Sequence, residues 1–143
     1  MGRIIVHLHG KPKQTSFSNL IEMYGDRLKG RNIKVQIHSD KVSPTDYQKK
    51  LMENNSIFFL DEVGVEHSSI ELSKLVSNWG LNSDDVHLAI GPVDGWPNKE
   101  ILTPNNSIKL SKMTFPHELA AVLLLEQLYR ATEIIKGTMY HRV

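Results

Sequence analysis

With 143 residues, 40% hydrophobic and 23% charged, the sequence reads as one soluble domain long enough to bury a core. It contains no cysteine, which excludes disulfides, thiolate metal sites and thiol nucleophiles. The net charge of +1 hides an asymmetry: residues 1–50 carry ten Lys/Arg against four Asp/Glu, and residues 51–100 carry two against nine.

The basic set (Lys11, Lys13, Arg27, Lys29, Arg31, Lys34) suits a phosphate-facing surface and equally suits solvated helix faces. MGRIIVHLHGKPK lacks the apolar length and small-residue cleavage site of a secretory leader, and Gly2 lacks the Ser or Thr of a myristoylation site. The expected location is the cytoplasm.

Arg3 to His9 is a short β-branched run closed by Gly10 and predicts a first strand. A polar loop leads to Ser18–Leu28, where Leu20, Ile21, Tyr24 and Leu28 recur at helical spacing before Gly30. Asn32 to His38 alternates, with Ile33, Val35 and Ile37 on one face of a second strand. Ser43-Pro44-Thr45-Asp46 combines a capping serine, a first-turn proline and an early carboxylate, predicting a helix to about Asn54.

Ser56 to Leu60 is a continuous apolar run suited to a central parallel strand. Asp61 to Ser69 reads as a loop, and Ile70 to Trp79 as a helix capped by Ser68 or Ser69. Val86 to Ile90 is a further buried strand entering the turn-rich Gly91–Asn98, and Ser107 to Leu110 is a short candidate strand.

The remaining residues comprise a polar loop to Phe115, a long helix opening with Pro116 in its first turn and ending before Gly137, and a tail Tyr140-His141-Arg142-Val143. The helix holds an unbroken apolar run, Leu119 to Leu125, too short for a bilayer and apolar on nearly all sides. Cover from a second protein surface, and hence a dimer, is the expectation.

Strand and helix alternate throughout, so the fold class is α/β with a mostly parallel sheet flanked by helices, in a single domain spanning residues 1–143. In such sheets ligands sit beyond the C-terminal ends of the strands. Three loops meet that rule: Asp61–Ser69, Gly91–Asn98 and Leu110–Phe115.

Other motifs are weaker. The Gly91–Gly95 loop is not GxGxxG, and a plain turn accounts for its glycines. His7 and His9 share one face of a strand, but no third ligand has recognisable spacing and His117-Glu118 lacks the second histidine of HExxH, so no metal is expected. No GxSxG elbow accompanies the Ser, His and Asp residues. The tail gathers an aromatic ring, an imidazole and a guanidinium, although a frayed terminus is the plainer account.

The run LSKMTFPHELAAVLLLEQLYRATEIIKGTMYHR, Leu110 to Arg142, resembles the C-terminal signature of the RlmH family, SPOUT-type methyltransferases acting on pseudouridine in large-subunit ribosomal RNA. The resemblance extends to His87–Gly91, to Leu60–Gly64 with Ser68-Ser69, and weakly to Gly10-Lys11 and Tyr24 with Arg27-Leu28. It implies a homodimer of a five-stranded SPOUT-type domain with a C-terminal trefoil knot. It further implies that S-adenosyl-L-methionine is held at Leu60, Gly91, Leu110, Ser111, Lys112, Met113, Thr114 and Phe115.

The family tail falls on Tyr140, His141 and Arg142, expected respectively to stack or hydrogen-bond near the flipped nucleotide, to assist proton transfer, and to bind a phosphate or the base's developing negative charge. The implied substrate is large-subunit rRNA, in an assembled ribosome. Two positions depart from the family: Pro92 replaces the second glycine of a pair, and Ala121 stands where an arginine is usual. The alternatives are a SPOUT-derived RNA-binding or ribosome-assembly module without catalysis, and a SPOUT methyltransferase with another RNA target.

Overall fold

The computed structural model describes residues 2–142, so Val143 of the tail lies outside it. Nine elements follow in order: β1 (Ile4–His9), α1 (Thr15–Lys29), β2 (Ile33–His38), α2 (Pro44–Leu51), β3 (Ile57–Glu66), α3 (Ser69–Trp79), β4 (Val86–Ala89), β5 (Ser107–Lys109) and α4 (His117–Lys136). The strands form one sheet in the order β2-β1-β4-β3-β5, with every pairing parallel. All C-terminal strand ends therefore share one edge.

Side chains alternate across the sheet and divide the core in two. On one face, Ile4, Val6, Leu8, Val86 and Leu88 pack beneath α1, α3 and α4. On the other, Phe59 and Ala89 lie with Tyr47 and Leu51 of α2 and with Trp96 and Leu102 of the β4–β5 connection. The apolar run of α4 is covered chiefly within its own chain, because α1 and α3 flank the helix and Leu124, Leu125 and Leu128 point into the core. Its composition therefore does not by itself require a partner.

Local chemistry sets the helix ends. Ser43 accepts the Asp46 N–H at 3.1 Å, and Ser68 and Glu71 form a reciprocal capping box at α3. Gly137, at φ 76°, closes α4 with the Thr138 N–H on the Glu133 carbonyl and its own N–H on Ile134.

Four expectations change. Pro116 caps α4 in an extended conformation (ψ 150°) rather than lying in its first turn. Helix α1 begins at Thr15, three residues before Ser18, because Glu118 of α4 accepts the Lys13 and Gln14 N–H groups at 3.1 and 3.2 Å. Strand β3 runs through Asp61–Glu66, so most of the expected loop is strand; both Leu60 and Val65 pair with Ile108 across a register shift. Ile37 is exposed because β2 is an edge strand.

Candidate functional site

The C-terminal edge of β3, β4 and β5 opens into a cleft of about 350 Å³, a volume in the range of small-ligand sites. Three stretches build it: Leu60–Glu62 on β3, the turn after β4, and the segment from Lys109 to the first turn of α4. All eight positions expected around the cofactor line this one cleft: Leu60, Gly91, Leu110, Ser111, Lys112, Met113, Thr114 and Phe115. Parallel pairing places them together: Leu60 lies one residue past the last β3–β4 pair, and the other positions follow β4 or β5 at the same edge.

Backbone geometry shapes the wall. Gly95, at φ 87°, closes a turn in which its N–H donates to the Pro92 carbonyl at 2.9 Å. Pro92 is itself part of the lining, so the departure from the family pattern lies in the cleft. Gly91 has Trp96 against it: a Cβ there would meet the indole Nε1 at 3.2 Å. The Ser111 hydroxyl accepts the Met113 N–H at 3.0 Å and folds the third loop, leaving Met113 exposed.

The chemistry of the lining suits a sulfonium nucleoside. Leu60, Ile90, Met113 and Phe115 offer apolar surface, while Asp61 and Glu62 offer negative charge for a cationic centre. Lys99, Lys109 and Lys112 bring cations to the same rim, appropriate to a polyanionic substrate. Trp96, Lys99 and Glu62 had no sequence signal beyond their place near strand ends.

The tail lies elsewhere. Tyr140, His141 and Arg142 are not part of this chain's cleft lining. Tyr140 and His141 fold back along α4, where the Tyr140 hydroxyl donates to Glu126 Oε2 at 2.8 Å and Arg130 Nη1 lies 3.1 Å from His141 Nδ1. A guanidinium only donates, so Nδ1 accepts and the neutral ring keeps its proton on Nε2. The Tyr140 ring meets Tyr129 edge-on at 5.0 Å, and the Arg130 guanidinium lies over the Tyr140 ring at 5.0 Å. Burial and the Glu126 carboxylate raise the Tyr140 phenol well above its ordinary pKa, so it remains a donor. Arg142 is exposed.

His7 and His9 do share a face of β1, and that face is a hydrogen-bonded row. His7 Nδ1 lies 2.8 Å from His38 Nε2, and His7 Nε2 lies 2.8 Å from His87 Nδ1, which joins β2, β1 and β4. His9 instead bonds the Val42 carbonyl. Because the ring nitrogens of the row face one another, the geometry is that of a hydrogen-bonded chain. Among the described residues no group of three or more His, Asp or Glu is disposed to hold a metal ion, and no helix is long and apolar enough to cross a membrane.

The family model described as "Predicted SPOUT methyltransferase" matches residues 3–141. The chain belongs to the SPOUT methyltransferase family. It is 31% identical over 98% of its length to a protein from Anaeromyxobacter named ribosomal RNA large subunit methyltransferase H, covering 99% of that relative. It is 34% identical to a like-named protein from Prochlorococcus marinus, covering 98% of this chain and 96% of that one.

The fold also matches that of an RNA methyltransferase from Bacillus anthracis, with a TM-score of 0.52 at 12% identity over 91% of this chain and 94% of that one. TrmJ from Z. mobilis matches with a TM-score of 0.51 at 8% identity, over 100% of this chain and 72% of that one. The α/β parallel sheet is thus that of a SPOUT domain.

Ala121, the family's usual arginine position, is 1% exposed and packed in the core beside α4's leucines. This SPOUT domain therefore presents a methyl group there and draws no cationic contact from that position.

Proposed function

We propose that this SPOUT protein transfers a methyl group from S-adenosylmethionine to the imide nitrogen of a pseudouridine in large-subunit rRNA, within an assembled ribosome in the cytoplasm. The observation that carries the reading is the convergence of the eight named positions from three separate stretches on one cleft. The names of the relatives above support the substrate class. We further propose that the domain carries the family's C-terminal trefoil knot.

When bound, S-adenosylmethionine supplies an electrophilic methyl group on a sulfonium centre. Leu60, Gly91 and Leu110–Phe115 would hold it through apolar side chains and backbone groups, and Asp61 and Glu62 would favour the cation. The imide N–H of the base must lose its proton as the nitrogen attacks. His141 receives that proton on Nδ1 once Arg130 releases this atom, and Arg142 balances the negative charge developing on the base. Tyr140 lies against the base. Residues that held the base and the cofactor in a fixed mutual orientation would supply much of the rate.

A tail tied to its own α4 and outside its own cleft favours a homodimer in which it completes the partner's site. The decisive experiment is methyl transfer from labelled cofactor to ribosomes lacking the modification, followed by mapping of the labelled nucleotide. Cofactor binding without transfer to any ribosomal pseudouridine would overturn the substrate. Absence of cofactor binding in calorimetry would favour a non-catalytic RNA-binding module.

A further inference from the structure

Two backbone carbonyls at the floor of the cleft are held by buried aromatic donors. The Trp96 indole N–H donates to the Leu60 carbonyl at 3.0 Å, and the Tyr47 hydroxyl donates to the Ile90 carbonyl at 2.8 Å. The two rings stack with centroids 5.7 Å apart and planes 6° from parallel, and Phe59 meets Trp96 edge-on at 4.9 Å. Trp96 is 3% exposed, and its indole rests where a side chain on Gly91 would be. Tyr47 reaches this point from α2 and is not itself part of the cleft lining.

The pair therefore spans β3 and the segment after β4 where the β3–β4 pairing ends and the cleft opens. Leu60 is in β3, Ile90 follows β4, and the turn carrying Trp96 returns to bridge them. A donor on each carbonyl fixes its direction, and parallel stacking fixes the separation of the two donors. Leu60 and Gly91 both lie beyond the short β3–β4 ladder, which ends at Phe59 and Ala89.

We propose that Trp96, backed by Tyr47, is a positioning residue that sets the Leu60-to-Gly91 width of the cofactor cleft. The inference rests on the S-adenosylmethionine reading. Trp96→Phe keeps an aromatic ring and removes the indole donor; Tyr47→Phe keeps the stack and removes the other donor from outside the cleft. Each raises the S-adenosylmethionine Kd and KM about tenfold while kcat at saturating cofactor stays within about twofold, because the width of the ground-state site changes and the reacting groups do not.

Trp79→Phe is the control: Trp79 packs on Phe58 in the other core, so its loss lowers thermal stability and leaves Kd unchanged. In that variant Trp96 is the sole tryptophan, and its emission shifts on titration with S-adenosylhomocysteine. Wild-type affinity in both Phe variants, or an unresponsive Trp96 in a protein that binds cofactor by calorimetry, overturns the positioning role. Failure of the wild-type protein to bind cofactor overturns the cofactor reading instead.

Discussion

The Tyr140 hydroxyl donates to the Glu126 carboxylate, fourteen residues earlier on α4, at 2.8 Å. The same carboxylate accepts from Arg130 Nη2 at 2.9 Å, and Arg130 holds His141, so one acidic side chain organises the tail. Glu126→Ala is expected to leave cofactor affinity unchanged and to lower kcat about tenfold or more, since displacing a reacting group by an ångström costs on that order. Steady-state methylation with a parallel calorimetric Kd checks this. His141→Ala should likewise cut turnover far more than cofactor affinity.

Acid should unfold this domain through its histidine row. Burial, then the neighbouring His38, His87 and Lys50, lowers the His7 pKa to about 3, and burial also lowers His38 and His87. His9 and Lys50 oppose a proton on His38, while Asp85 favours one on His87 and Arg3 opposes it. The unfolded chain takes up protons near pH 6.5 that the folded row refuses, so stability is full above that pH and falls as pH drops toward 3. His7, 4% exposed, contributes a slope of up to about 1.4 kcal/mol per pH unit in that window. Urea titrations from pH 7 to 4 measure it; a His7→Gln protein with the same acid slope would refute the assignment.

Gly64 lies against the β5 backbone. A Cβ there would meet the Ile108 nitrogen and the Ser107 carbonyl carbon, each at 2.5 Å, and both are backbone atoms that cannot swing aside. Gly64→Ala should cost about 1–3 kcal/mol by forcing the strands apart, read as a lower denaturant midpoint. Gly30→Ala, with open space around its Cβ, should show no such loss.

Arg31 ties the end of α1 to α4, donating to Thr132 Oγ1 at 2.7 Å and Glu133 Oε2 at 2.8 Å beneath the Tyr129 ring. Its hydrogen bond and charge hold the Glu133 carboxyl below its ordinary pKa. Arg31→Leu should lower the thermal midpoint at neutral pH. The deficit should narrow as pH falls through the carboxylate range, because the ion pair stabilises the fold only while Glu133 is ionised. Paired thermal melts at pH 7 and pH 4 give the comparison.

The alternation of strands and helices, and the strand-end loops, were legible because periodicity and capping are local. The second half of β3 was not. Asp61-Glu62-Val63-Gly64-Val65-Glu66 has acidic residues, a glycine and exposed valines, and only the distant β5 makes it a strand. The histidine row was illegible for a related reason, since His7, His38 and His87 meet only because the sheet places β1 between β2 and β4. For the cleft, the loop positions followed from the parallel sheet and the particular residues from family resemblance. Trp96 was missed because its contribution depends on a carbonyl 36 residues away.

Glu118 completes α1 from 105 residues further along the chain than Lys13. During synthesis at roughly 5–20 residues per second, the amide groups ahead of α1 wait on the order of 5–20 s for that carboxylate. The nascent chain thus emerges with its first helix unfinished and its cleft lacking a third wall, both supplied by the same late segment. Assembly of the fold and completion of the cleft should consequently be a single event in time.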